Sequence, residues 1–416
     1  MRESRRLNAG GRAHRAGRVV RAVLCGSITV LLGTAVVPPS PAMAAPTCGP
    51  AGLAPPTETP WALRRLDPSA AWPLSRGAGV TVAVIDSGVS ATHPLLNGQV
   101  REGADFNGLP ANKGRCDQAG HGTIVAGIIA GREGTGVPFT GIAPQARILP
   151  IRVLPDGRDN HDEALPGEIA NAIVWAVDNG ADVINLSLVT LPRKELADAV
   201  DYAVRKRVIV VAAAGNRRED QQQDRTGYPA AYPGVIAVAG VDEQGAHVGS
   251  SVSGNYVDIA APGVNIVGPA PGGSGYIGEP QGGTSFAAAY VSGVAALVRA
   301  AHPDLTAQQV ADRLTQTADN PPDGHNTEVG YGVVNPYRAV STVLGTRSNP
   351  PPAAMPAPAP PGDPLDWQRT VAIWVAVVGA LLAALLLAIK PILVRGRRRG
   401  WRPGRRPAGA DALTTG

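Results

Sequence analysis

Short runs of consecutive apolar residues alternate along the middle of the chain with segments whose apolar residues recur at helical spacing. The runs are rich in Val, Ile and Ala without polar alternation, which is typical of parallel strands buried on both faces. The predicted strands are 80–85, 148–153, 183–188, 208–213 and 235–239. The predicted helices are 121–130, 168–179, 193–206, 285–301 and 307–317, the last N-capped by Thr306. This alternation predicts an α/β fold, with a mainly parallel sheet and helices on both faces.

The N-terminus carries an Arg-rich segment, an apolar stretch over 22–37 and then Ala42-Met43-Ala44. This order is typical of a secretory signal peptide with a small-residue cleavage site, so we predict a signal peptide over 1–44. An uncleaved membrane anchor is the alternative interpretation. Residues 45–76 would then form an N-terminal extension before a globular domain over 77–345.

Residues 371–389 contain no charged residue, and Lys390 and a cluster of arginines follow at once. At about 1.5 Å per residue, a helix of this length spans most of a hydrocarbon core about 30 Å thick. We therefore predict a transmembrane helix over 367–389, with a buried core helix as the alternative. The positive-inside rule places the basic tail, 390–416, in the cytoplasm and the preceding domain on the extracytoplasmic side of the cell membrane. The Pro-rich segment 346–366 is predicted to be a stiff linker.

The chain has 416 residues, of which 44 % are hydrophobic, and this excludes a disordered protein. Its net charge of +5 comes from the ends, because residues 1–21 carry +6 and residues 390–416 carry +7, which leaves −8 for the rest. An acidic bulk argues against nucleic-acid binding. No acidic run has the spacing of calcium ligands, so we expect neither a metal nor a cofactor.

Cysteine usage is consistent with export. Cys25 lies in the predicted signal peptide, and Cys48 and Cys116 remain after it. Such a pair is expected to form a disulfide in an oxidising compartment, with two free thiols as the alternative.

Three chemically distinctive residues stand at predicted element boundaries. Asp86 follows the first strand, His121 begins a helix between two glycines, and Ser285 begins a helix of small residues. Taken alone, each has an ordinary interpretation, namely a turn Asp, a helix-start His and a Ser N-cap. Together they suggest nucleophilic catalysis, because a serine hydroxyl needs a histidine base and that histidine needs a carboxylate to orient it.

Asn216 completes the set. It follows Gly215 directly after a predicted buried strand, where its side-chain amide can donate to an oxyanion that develops during acyl transfer. A turn residue is the alternative interpretation for Asn216 alone.

With these four residues in this order, the chain resembles the subtilisin-like serine proteases over residues 77–345. The segments that carry the resemblance are Val84-Ile85-Asp86-Ser87-Gly88, Gly120-His121-Gly122-Thr123, Ala214-Gly215-Asn216 and Gly283-Thr284-Ser285-Phe286-Ala287. The resemblance implies a subtilisin-like fold, in which Asp86 orients His121 and His121 serves as base and then acid. Ser285 would be the nucleophile, and Asn216 with the backbone N–H of Ser285 would form the oxyanion hole.

The resemblance also implies a substrate-binding edge. Ser187 and Leu188 would pair with substrate by strand addition, with Gly215 as a further substrate-binding residue. The family usually has Gly after the Ser-Leu pair, whereas Val189 stands here. A side chain at that position would narrow the nearby pockets.

The order of segments along the whole chain resembles the mycosins, which are membrane-anchored proteases associated with type VII secretion. This implies a serine endopeptidase that cleaves exported or secretion-machinery proteins, with protein or peptide substrates and a type VII secretion membrane complex as partners. In that group a disulfide between Cys48 and Cys116 would fix the extension to the domain beside His121. The alternatives are a structural stabiliser of a secretion complex with secondary proteolysis, and a general nutrient protease.

Overall fold

The computed structural model of the protein describes residues 48–108, 112–155, 164–217, 225–322, 324–344, 366–398 and 400–401. The predicted signal peptide over 1–44 lies outside these residues. So do the predicted linker, except for Asp366, and most of the predicted basic tail beyond 401.

Within the described residues, seven strands form one sheet, and every neighbouring pair in it is parallel. In chain order the strands are β1 Thr81–Asp86, β2 Ala104–Asp105, β3 Arg147–Arg152, β4 Val183–Leu186, β5 Ile209–Ala213, β6 Val235–Val241 and β7 Ile259–Pro262. Their order across the sheet is β2-β3-β1-β4-β5-β6-β7, so the connections after β1 run to one side and those after β4 to the other. In parallel sheets a crevice for ligands forms at such a switch point, beyond the carboxyl ends of the strands.

The described helices are α1 Trp61–Leu66, α2 His121–Ala130, α3 Leu165–Asp178, α4 Lys194–Arg205, α5 Thr284–Ala301, α6 Ala307–Gln316, α7 Pro336–Ser341 and α8 Asp366–Arg398. Helices α2 and α5 pack on one face of the sheet, and α3 and α4 pack on the other. Alternate residues of β1 enter different cores, since Val82 and Val84 pack with α2 and α5, whereas Ala83 and Ile85 pack with α3 and α4. Burial on both faces is the reason that the strand sequences lack polar alternation.

The predicted elements are present, with differences at their bounds. Helix α2 has the predicted bounds, whereas α3 begins three residues before the predicted start at 168. Thr306 caps α6 as predicted, and a reciprocal pair of hydrogen bonds with Gln309 completes the cap. The short strands β2 and β7 were not predicted, and neither was an antiparallel hairpin of β8 Ile266–Pro269 and β9 Tyr276–Glu279.

Among the residues that the structure describes, two helices are long and apolar enough to cross a membrane. Helix α5 is buried in the core, whereas the side chains of α8 from Val371 onwards are largely exposed in the described chain. Helix α8 continues past residue 389, where the prediction ended, to Arg398. Its last turn carries Arg395, Arg397 and Arg398, and cations at the carboxyl end of a helix are favoured by the helix dipole.

The N-terminal extension lies along the domain. The disulfide expected between Cys48 and Cys116 is present in the structure. Leu53 exchanges backbone hydrogen bonds of 2.8 and 2.9 Å with Tyr276, which extends the hairpin by one short segment. The indole N–H of Trp61 donates to the carbonyl of Val264 at 2.9 Å. The extension is therefore attached covalently and through its backbone.

Candidate active site

Asp86 and His121 form a hydrogen-bonded pair at the carboxyl end of the central strand. Asp86 is the last residue of β1 and is fully buried, and His121 is the first residue of α2. His121 Nδ1 donates to Asp86 Oδ1 across 2.7 Å. Because Nδ1 is used in this way, the neutral ring presents Nε2 as its basic nitrogen. Within the described residues Nε2 has no hydrogen-bond partner, so it is available as a base.

Close backbone approach explains the glycine after His121. A Cβ at Gly122 would lie 2.1 Å from the carbonyl oxygen of Gly88 and 3.2 Å from the Asp86 carboxyl group. Any side chain there would separate the start of α2 from the end of β1. The Asp86 carboxylate is further fixed by the backbone N–H of Ser87, which donates to Oδ1 at 2.7 Å.

The pair changes the basicity of the imidazole. Burial of the ring acts to lower the pKa of His121, but the charge of Asp86 and its hydrogen bond outweigh that effect, and the net pKa is raised. The imidazolium form is therefore favoured more than in a free histidine, as suits a group that must accept a proton from a hydroxyl.

Ser285 lies in the first turn of α5 and is partly exposed. Its Oγ donates to the carbonyl oxygen of Ser187 at 3.0 Å, and Ser187 Oγ donates in return to the carbonyl oxygen of Ser285 at 2.7 Å. In the part of the chain that the structure covers, no hydrogen bond joins Ser285 Oγ to His121. Ser285 and His121 nevertheless lie on helices that pack against each other, α5 and α2. The ring centroids of Phe286, the residue after Ser285, and His121 are 5.3 Å apart.

Asn216 follows β5, and its side-chain amide is oriented by α5. Its Oδ1 accepts from the backbone N–H of Thr284 at 2.9 Å and from Thr284 Oγ1 at 3.1 Å. The hydroxyl of Thr284 in turn accepts from the backbone N–H of Gly215 at 3.2 Å. Since the amide oxygen is occupied, the NH₂ group is the side of Asn216 that remains for an external acceptor.

The predicted substrate-binding residues lie at the ends of neighbouring strands. Ser187 and Leu188 follow β4 and are buried, and Gly215 follows β5 with φ of 119°. A Cβ at Gly215 would lie 3.6 Å from Val189 Cγ2 and 3.5 Å from Val252 Cγ2. The side chain of Val189 therefore borders the space in front of Gly215.

Sequence reasoning gave no role to Thr284, Ser87 or Asp117, although each forms hydrogen bonds in the site. The buried side chain of Thr284 orients Asn216, and the buried Ser87 hydroxyl lies between Asp86 and Asp117. Thr284 and Ser87 stand next to predicted catalytic residues, and that adjacency is the one signal by which they could have been found.

Taken together, the described site contains a carboxylate–imidazole pair, a hydroxyl at a helix start and an oriented amide donor. Residues 77–332 match the Subtilase family, Peptidase S8. The chain belongs to the subtilase family. The enzyme class follows from this membership, and the protein is a serine endopeptidase. The resemblance of the sequence to subtilisin-like proteases is thereby confirmed.

Similar proteins add detail to this family membership. The chain is 35 % identical to Mycosin-1 of Mycobacterium tuberculosis over 393 residues, which cover 80 % of this chain and 84 % of that protein. It is similar to the solved structure of the MycP3 protease from the type VII (ESX-3) secretion system, with a TM-score of 0.63, 36 % identity and coverage of 73 % and 98 %. It also resembles a chain in an intact ESX-5 inner membrane complex, with a TM-score of 0.64, 33 % identity and coverage of 84 % and 94 %. The predicted resemblance to mycosins is confirmed by these matches.

Proposed function

We propose that the protein is a membrane-anchored endopeptidase that cleaves exported proteins or components of a type VII secretion machinery, with Ser285 as its nucleophile. The hydrogen bond between Asp86 and His121, at the switch point of a subtilase fold, is the observation that carries the proposal. Ser285 lies on the helix that packs against the one bearing His121.

The proposed reaction begins with rotation of the Ser285 side chain from the Ser187 carbonyl towards His121. Ser285 Oγ attacks the scissile carbonyl carbon as His121 Nε2 takes its proton, and the carbonyl π electrons move to oxygen. Asn216 Nδ2 and the backbone N–H of Ser285 donate to that oxyanion. Collapse of the intermediate breaks the C–N bond, and His121 returns the proton to the leaving amine. Water then hydrolyses the acyl-enzyme by the same steps.

Asp86 has a positional and electrostatic part in this scheme. Its hydrogen bond keeps the proton on Nδ1, so that Nε2 is the basic nitrogen, and its charge stabilises the imidazolium that forms. The raised pKa of His121 supports this assignment.

The substrate is proposed to bind as an extended strand beside Ser187 and Leu188. These residues continue β4 beyond its last paired position, and such an edge offers backbone groups for strand addition. Gly215 borders the same space on the side of β5. Its lack of a side chain would leave room for substrate next to Asn216.

Helix α8 is proposed to anchor the enzyme in the cell membrane, with the catalytic domain on the extracytoplasmic side. The Arg cluster at the end of α8 supports a cytoplasmic C-terminus by the positive-inside rule. The disulfide Cys48–Cys116 is consistent with an oxidising, extracytoplasmic location of the domain.

A test of the nucleophile uses a serine-directed fluorophosphonate probe. The full-length protein should be labelled and should cleave peptides, and Ser285→Ala should abolish both. Ser341→Ala, at the end of the short helix α7, is the matched control and should label like the unsubstituted protein. Labelling that survives in Ser285→Ala would remove the proposed role of Ser285.

A structural role in a secretion complex is the second candidate function. It is favoured by the match to a chain of an intact ESX-5 inner membrane complex, of which this chain covers 94 %. Export measured in a deletion strain and in a Ser285→Ala strain separates the two roles. If deletion stops export and Ser285→Ala does not, the structural role dominates.

A further inference from the structure

A second buried carboxylate lies beside the Asp86–His121 pair. Asp117 is fully buried and accepts hydrogen bonds on both oxygens. Oδ1 accepts from Ser87 Oγ at 2.8 Å and from the backbone N–H groups of Ala119 and Gly120 at 3.2 and 2.8 Å. Oδ2 accepts from the N–H and the hydroxyl of Thr123 at 2.8 and 2.6 Å. Burial raises the pKa of Asp117, and the hydrogen bonds oppose that effect. Three of the donors are backbone amides, which can only donate, so they favour the ionised carboxylate as the acceptor.

Asp117 caps the helix that carries His121. Helix α2 begins at His121, and the preceding Gly120 has φ of 91° and no side chain with which to cap. The first amide groups of a helix lack intrahelical acceptors. Asp117 accepts from Gly120 and Thr123 on either side of His121, so it fixes the backbone from which the imidazole projects.

Ser87 connects Asp117 to Asp86. Its hydroxyl oxygen is 2.8 Å from Asp117 Oδ1 and 3.2 Å from Asp86 Oδ1, and it accepts from the backbone N–H of Gly122 at 3.0 Å. A hydroxyl has one proton, and the shorter distance favours its donation to Asp117. Asp86 Oδ1 is then left to His121 Nδ1 and the backbone N–H of Ser87.

The loop that contains Asp117 is held in place by the disulfide and by close packing against the segment that follows Asp86. The disulfide to Cys48 involves the preceding residue, Cys116. A Cβ at Gly88 would lie 2.2 Å from the carbonyl oxygen of Cys116, so this loop is packed directly against the end of the Asp86 segment. Movement of the loop would therefore be transmitted to both carboxylates.

We propose that Asp117 is a positioning residue for His121: it sets the start of α2 and directs the Ser87 hydroxyl away from Asp86, from a loop that the Cys48–Cys116 disulfide anchors. This inference rests on the proposed role of His121 as the base. It adds a residue that touches neither substrate nor the reacting atoms.

The pKa of His121 distinguishes the proposed role of Asp117 from a purely structural one, because a purely structural role would leave that pKa unchanged. The charged groups that act on the ring are Asp86 at the end of β1, Asp117 before α2 and Glu279 on β9, and each raises its pKa. Loss of the Asp117 charge should lower the pKa of His121. A Ser87 proton released towards Asp86 would compete with His121 Nδ1 and act in the same direction.

The test compares the rate of fluorophosphonate labelling as a function of pH in the full-length protein and in Asp117→Asn. The amide keeps the size of the side chain but presents an NH₂ group to backbone donors. At high pH, where His121 is deprotonated, the labelling rate reaches a plateau. We expect this plateau rate to be about 100-fold lower in Asp117→Asn, the order that follows from misplacing a reacting group by about 1 Å. The pH midpoint of the rate should move to lower pH.

Asp258→Asn is the matched control. Asp258 directly precedes β7, an edge strand four positions from β1 in the sheet, and accepts from the backbone N–H of Ala237 at 2.9 Å. Its substitution should change neither the plateau nor the midpoint. Ser87→Ala keeps the Asp117 charge, so it should lower the plateau, by less than Asp117→Asn does, without moving the midpoint. It should have little further effect in the Asp117→Asn background, because both changes remove one connection.

The outcomes separate this inference from the proposed function. If the unsubstituted protein is not labelled at Ser285, the proposed function fails. If it is labelled and Asp117→Asn behaves like Asp258→Asn, the inference on Asp117 alone is overturned. If Asp117→Asn does not fold, as judged by circular dichroism, Ser87→Ala decides, and an unchanged plateau in that variant overturns the inference.

Discussion

The hydroxyl of Ser285 donates to the carbonyl oxygen of Ser187 at 3.0 Å, at the edge where we propose that substrate binds. This hydrogen bond directs the hydroxyl of the proposed nucleophile to Ser187 and not to His121. Catalytic hydrogen bonds are often long or misaligned before substrate binds, and they tighten in the complex. A substrate strand beside Ser187 would change the surroundings of this carbonyl, and rotation of one side-chain torsion is enough to redirect the hydroxyl.

The pH dependence of labelling should follow the His121 imidazole. Because its folded pKa is raised above the ordinary value, the base is lost as pH falls through a midpoint higher than that of free histidine, about 6.5. The rate of fluorophosphonate labelling should therefore rise with pH through a midpoint above about 6.5.

Asp86→Asn provides the complementary measurement. It removes the charge that raises the pKa of His121 and can hold the wrong tautomer, so we expect the cleavage rate to fall about 10⁴-fold, the order that this change produces in a Ser-His-Asp protease. The residual labelling should have its midpoint at lower pH. A midpoint that stays in place would show that another group governs the profile.

The orientation of Asn216 by Thr284 predicts a graded effect on catalysis. Asn216→Ala removes the amide donor, and loss of one such donor in subtilisin, a member of the same family, lowers kcat about 10²–10³-fold. Thr284→Val keeps the shape but removes the hydroxyl that joins Asn216 Oδ1 to Gly215 N–H, so it should lower kcat less. Steady-state kinetics on one peptide should show KM nearly unchanged in both variants. A rise in KM with constant kcat would assign Asn216 to substrate binding instead.

The parts of the fold that were predictable are those with a local signal. Helix α2 has its predicted bounds because a glycine pair and an uninterrupted apolar run mark it. Strand β2 has two residues and β7 has four, and segments so short carry too little periodicity to be distinguished from a loop. The hairpin of β8 and β9 was missed because it contains glycine and proline in place of an alternating pattern.

The site was predictable in its reacting groups but not in its supporting contacts. Asp86, His121, Asn216 and Ser285 stand out because their chemistry combines into one reaction. Asp117 contacts Ser87, thirty positions earlier in the chain, and Thr284 contacts Asn216 at a separation of 68 residues. Polar side chains at such separations become partners only after the sheet forms. The residue types of Asp117 and Thr284 alone do not indicate which side chains they will contact.

The disulfide should stabilise the folded domain, and it should also help to hold the loop of Cys116 and Asp117 in place beside the active site. Cys48 and Cys116 are 68 residues apart in sequence, and closing a loop of that length stabilises by about 4 kcal/mol in the chain-entropy model. We expect Cys48→Ser/Cys116→Ser to lower the midpoint of urea unfolding and to slow labelling of Ser285, since Cys116 adjoins Asp117.

Leu53→Gly is a useful comparison for the disulfide variant. Leu53 is 80 % exposed and pairs with Tyr276 through its backbone, so this variant perturbs the extension without changing the bond at Cys116. It should unfold at a slightly lower urea concentration and be labelled at the normal rate. If the disulfide variant were labelled as fast as Leu53→Gly, the disulfide would have no effect on the active site.

Val189 should limit the size of the substrate side chain next to the scissile bond. Its Cγ2 lies 3.6 Å from the position of a Cβ on Gly215, and Val252 closes the same space at 3.5 Å. The hydroxyl of Tyr256 bridges the backbone N–H of Gly227 and the carbonyl of Ala214, 3.1 and 2.8 Å away, beside the same strand end. A peptide with Ala before the scissile bond should therefore be cleaved faster than a matched peptide with Phe.

Val189→Gly tests that limit. Removing the side chain should raise kcat/KM for the Phe peptide at least tenfold, because a single methylene group of space in an apolar pocket changes selectivity about 10–200-fold. The Ala peptide is the control, and its kcat/KM should change little, since its side chain already fits. An equal change for both peptides would show that Val189 acts on the backbone of the binding edge. In that case the size of the pocket would have to be set elsewhere, with Val252 as the next side chain to shorten.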